Sequence, residues 1–75
     1  MQDDVIMAAL RRAWIGTTTG IACVNVADAY DRQKTVDWLV RETKTSRQTV
    51  AKELAEFGSR HPEILFIDLN IDSAL

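Results

Sequence analysis

Apolar positions along this chain change their period from segment to segment, and each change marks an element. Between residues 35 and 58 the period is helical. Val36, Leu39 and Val40 fall at i, i+3 and i+4, and Val50, Leu54 and Phe57 at i, i+4 and i+7, so each trio shares one helical face. On the second segment Arg47, Gln48, Thr49, Lys52, Glu53 and Glu56 fall away from that face. A polar break, Lys44-Thr45-Ser46, separates the two segments. Ser46 stands where the second helix should begin, and its hydroxyl can accept from the free N–H groups of that first turn. The pattern predicts two short helices joined by a sharp turn, the second with a polar outer face.

The flanking segments follow other rules. Residues 2–14 read as a helix, with Asp3 and Asp4 at its start and Arg11 and Arg12 near its end, each sign complementing the helix dipole. Between them the run is apolar nearly all round and needs cover on most sides, from the chain itself or from a second copy. Gly16 and Gly20 frame three threonines and mark residues 15–20 as a linker. Residues 20–32 are read as a supporting helix, with Asn25, Asp28 and Arg32 forming a polar stripe, although Val24 and Val26 also suit a strand. Gly58 followed by Pro62 signals the end of the helix that starts at Ser46. Residues 63–72 alternate, with Leu65, Ile67, Leu69 and Ile71 on one side and Phe66, Asp68, Asn70 and Asp72 on the other. That is a half-buried strand, expected to lack a partner unless the region 21–27 pairs with it. The predicted architecture is one mainly α (α+β) domain over 1–75, with four helices and one C-terminal strand.

Composition narrows the possibilities. At 75 residues the chain buries only about 60% of the surface its unfolded form exposes. Its 47% hydrophobic content is ample for a core. The single cysteine, Cys23, has no partner for an intramolecular disulfide, and with one histidine present a zinc site is not expected. No apolar run approaches the ~20 residues of a membrane span and no basic-then-apolar leader opens the sequence, so a cytoplasmic protein is expected. No paired carboxylates, nucleophile motif or glycine-rich phosphate loop stands out, which makes an enzyme the weakest class; no cofactor and no metal are expected. The net charge of −2 argues against generic nucleic-acid binding. Its distribution is uneven, however. Residues 32–60 carry seven basic side chains (Arg32, Lys34, Arg41, Lys44, Arg47, Lys52, Arg60) against four acidic ones (Asp37, Glu42, Glu53, Glu56).

The run Thr35-Val36-x-x-Leu39-Val40, then Thr45 to Val50, then Leu54 resembles the DNA-reading half of winged helix-turn-helix regulators. The resemblance spans 25 of the 75 residues and the flanks fit it only loosely. It implies a buried set of Val36, Leu39, Val50 and Leu54 and a DNA-facing set of Lys44, Ser46, Arg47, Gln48, Thr49 and Lys52. In such a complex Arg47 would pair with guanine, Gln48 with adenine, and Thr49 would touch a thymine methyl. Lys44, Ser46 and Lys52 would hold phosphates. Two departures stand against the pattern: Lys44 occupies a turn position where many members have glycine, and too few residues follow the strand for a second wing strand.

The expected function is a small sequence-specific transcriptional regulator that binds double-stranded DNA as a homodimer. The alternative is a protein-binding module of phage or plasmid type, an inhibitor such as an anti-CRISPR, that reuses the scaffold without binding DNA. The acidic balance, the truncated wing and the open strand suit that alternative.

Overall fold

The computed structural model describes residues 2–19 and 26–68. Within them the elements run α1 (Asp3–Ala13), β1 (Trp14–Thr19), β2 (Val26–Asp31), α2 (Arg32–Thr43), α3 (Arg47–Arg60) and β3 (Ile64–Ile67). The three strands form one sheet in the order β1-β2-β3. β1 and β2 are antiparallel, whereas β2 and β3 are parallel.

The helical core follows the periodicity. Ile6, Ala9 and Leu10 of α1, Val36 and Leu39 of α2, and Val50, Leu54 and Phe57 of α3 form one buried cluster. Val5, Tyr30, Trp38, Val40, Ile64 and Phe66 pack around it, half-buried. Asp31 caps α2 by accepting from the Lys34 N–H at 3.2 Å. Ser46 caps α3 in the same way, accepting from the Thr49 N–H at 3.2 Å. Between the two helices Lys44 takes the left-handed conformation, φ 53° and ψ 37°. The turn therefore has the geometry that favours glycine, imposed on a lysine.

Several expectations need correction. Four helices and one strand were expected; the described residues hold three helices and a three-stranded sheet, a small α+β domain. Of the segment 20–32, residues 20–25 lie outside the described residues and Val26–Asp31 is strand, not helix. Its alanines tolerate either state, and pairing on both sides decides the matter. Much of the expected linker is β1, whose β-branched threonines suit a strand. The Thr17 hydroxyl donates to the Asp28 carboxylate at 2.7 Å across that pair.

β3 is shorter than the expected strand at 63–72, and residues 69–72 lie outside the described residues. It also faces the other way. Phe66 packs against the core and meets the Tyr30 ring at 6.4 Å, whereas Leu65 is 42% exposed. Its partner is β2, with Tyr30 opposite Phe66. A strand that follows α3 and runs parallel to β2 differs from the antiparallel wing hairpin that the resemblance implies, and the architecture does not identify a winged helix. Gly58 lies inside α3, which runs on to Arg60. The His61 N–H then closes the helix on the Phe57 and Gly58 carbonyls.

α1 does not need a second copy to cover its main face, because Ile6, Ala9, Leu10 and Ala13 are buried within the chain. No helix among the described residues is long and apolar enough to cross a membrane.

Candidate nucleic-acid interface

The turn between α2 and α3 sets the geometry of the candidate surface. The Thr43 hydroxyl donates to the Leu39 carbonyl at 2.6 Å and lies 2.9 Å from the Thr45 hydroxyl. Ser46 Oγ accepts from the Thr49 N–H and donates to Thr49 Oγ1 at 2.9 Å. These short bonds fix where α3 starts, so its first two turns project from a rigid corner.

All six residues singled out from the sequence lie there, and all six are exposed: Lys44 and Ser46 in the turn, Arg47, Gln48, Thr49 and Lys52 on α3. They are not equivalent. At 100° per residue, Gln48 and Lys52 point directly away from the buried Val50–Leu54–Phe57 face, while Arg47 and Thr49 sit on its two shoulders. The exposed neighbours of Gln48 and Lys52 are the slim Ala51 and Ala55 and, one turn after Lys52, the acidic Glu56. Ser46 is occupied in capping, which leaves its hydroxyl little capacity for phosphate. Glu53, expected to face solvent, is half-buried. It lines a cleft of about 330 Å³ with Gln2, Val5, Thr43, Thr45 and Thr49.

The charges sort into paired and unpaired groups. Arg32 lies 3.5 Å from Asp68 and Arg60 lies 3.0 Å from Asp3, while Arg47 is ion-paired with Asp37 of α2. Among the described residues Lys34, Arg41, Lys44 and Lys52 make no ion pair. The cationic excess seen in the sequence is thus carried by four side chains, two of them at the α2–α3 corner. Sequence reasoning missed Asp37, which stands ten residues before Arg47. Its only signal was an acidic residue on the outer face of α2, which is not specific.

At this level the chain is a small α+β domain whose α2–turn–α3 corner presents a polar helix face. No known protein family, no curated protein and no solved structure matches it.

Proposed function

We propose that the chain is a small sequence-specific DNA-binding protein, a transcriptional regulator that lays the N-terminal half of α3 in the major groove. The observation that carries this reading is the α2–α3 corner, where a capped helix starts from a tight turn with Gln48 and Lys52 aimed outward and unpaired. In the helix-turn-helix mode the N-terminal residues of the second helix meet base edges while the first helix lies across the backbone. Gln48 suits adenine and Arg47 suits guanine. Thr49 keeps its own hydroxyl proton for donation, since it already accepts from Ser46. Lys44 and Lys52 supply phosphate contacts, and the slim side chains of Ala51 and Ala55 keep one flank of that face open, while Glu56 stands one turn beyond Lys52.

The reading includes a homodimer. Among the described residues β1 and β3 each have an unpaired edge, and Trp14 and Ile15 on β1 are 55% and 42% exposed. The strand Trp14–Thr19 carries no charge to discourage pairing with a second copy. A twofold dimer would double the reading surface and match a palindromic site. The same edges, with Leu65 exposed on the sheet, favour the second reading, a protein-binding module that leaves DNA alone.

Selection from a random duplex pool tests the proposal. The regulator enriches one short sequence, and Lys52→Ala weakens binding to every duplex about equally while flattening the salt dependence by about one unit. A pool left unenriched by the folded wild-type protein rejects the regulator in favour of the second reading.

A further inference from the structure

We propose that Asp37 is a positioning residue for base readout: it holds the Arg47 guanidinium so that the side chain selects a base and does not bind phosphate indiscriminately. The proposal rests on α3 being the DNA-contacting helix. Its evidence is the ion pair between Asp37 of α2 and Arg47 at the start of α3, which bridges the two helices across their turn.

Asp37 and Arg47 side chains are 50% and 56% exposed. An ion pair so open to water contributes little to stability, so the contact is poorly explained as a clamp on the fold. Its geometric consequence is larger. A guanidinium has five N–H donors in a rigid fork, and the bond recorded to the Asp37 carboxylate engages one nitrogen, Nη2. Enough donors remain for a bidentate contact to guanine O6 and N7. Tethering one end of a flexible side chain before binding lowers the ordering cost when the base is met.

Charge gives the second half of the argument. Non-specific affinity comes from cations that displace counterions from phosphates. A paired Arg47 brings almost no net charge to the surface, so it adds discrimination without adding indiscriminate attraction. Lys44 and Lys52, without an ion pair among the described residues, remain for the backbone. An acidic chain with a weak electrostatic pull has to take its affinity from well-placed contacts, and a preoriented arginine is one of them.

The test compares the wild-type protein with Asp37→Ala, Asp37→Glu and Arg47→Ala in random-duplex selection and in salt titrations on a generic duplex. Arg47→Ala should erase preference at one base pair, roughly tenfold to hundredfold. Asp37→Ala should weaken the same preference while binding the generic duplex more tightly, with a salt slope steeper by about one unit. Asp37→Glu should restore part of the preference, and the thermal midpoint should barely move in any of the three. If Asp37→Ala keeps the wild-type base preference, or weakens binding to all duplexes alike, the carboxylate is only a structural contact and the proposal is overturned while the regulator stands. A wild-type protein that enriches nothing overturns both.

Discussion

Lys44 holds the least comfortable backbone in the described chain, the only non-glycine residue there with positive φ. A left-handed conformation costs an L-residue roughly 1–2 kcal/mol, whereas glycine gives back roughly 0.5–1 through its unfolded-state freedom. Lys44→Gly should therefore stabilise the domain by up to about 1 kcal/mol in urea unfolding, raising the melting midpoint by a few degrees. A loss of stability would show that the lysine side chain holds the turn in some other way. The same substitution should weaken generic DNA binding, since it removes an unpaired cation. Tyr30 makes a separate prediction. Burial pushes its phenol pKa up, and the nearby Asp28 carboxylate adds to the effect. A pKa raised by folding contributes stability below the unfolded value, near pH 10, that is lost as pH climbs through the folded one. Wild-type stability should fall more steeply above that pH than stability of Tyr30→Phe; parallel curves would mean that the phenol is not the group responsible. At the centre of the core, Leu54→Ala should cost about 2–5 kcal/mol. The domain's whole stability is on the order of 5 kcal/mol, so the variant should sit near its unfolding transition at room temperature.

At the scale of elements, the caps decide where α2 and α3 begin. Ser46→Ala should cost about 1 kcal/mol, read as a drop in the denaturant midpoint, and Ser46→Asp should retain most of it. The aspartate should nonetheless weaken DNA binding, because it adds a negative charge to the corner that carries Lys44 and Arg47. Equal DNA binding by Ser46→Asp and wild type would take this corner out of the interface. The helices α2 and α3 were legible because their apolar trios obey a 3.6-residue period. Strands were harder. Thr17 to Thr19 sit between two glycines and look like a linker until β2 supplies the pairing, which is a non-local fact. Val26–Asp31 carries three polar positions at helical spacing when taken together with its neighbours, yet its partners lie on β1 and β3. β3 shows the limit most directly. Alternation revealed the strand but not its inner face, because Leu65 and Phe66 are both apolar and only the contact with Tyr30 and the helical core selects Phe66. The candidate surface was legible as a list of residues, while the Asp37–Arg47 pair was not, since it depends on the angle at which α2 and α3 meet.

For the molecule as a whole, the acidic balance and the open sheet edges bear on assembly as well as on partners. α1 buries its main face on its own chain, and among the described residues the uncharged β1 edge beside Trp14 and Ile15 is one open place for a dimer to form. Sedimentation over a concentration series should show a dimer that Ile15→Lys dissociates without unfolding, and a wild-type protein that stays monomeric throughout would remove the dimer from the account. The central claim concerns DNA and the α2–α3 corner, and amide chemical-shift mapping tests it most directly. When the isotope-labelled protein is titrated with duplex DNA at low salt, the amides from Thr45 to Lys52 should move first and furthest, with those of β1 and β3 nearly still. Shifts confined to the sheet, or no shifts at all, would contradict the claim and leave the helical corner as an ordinary solvated surface.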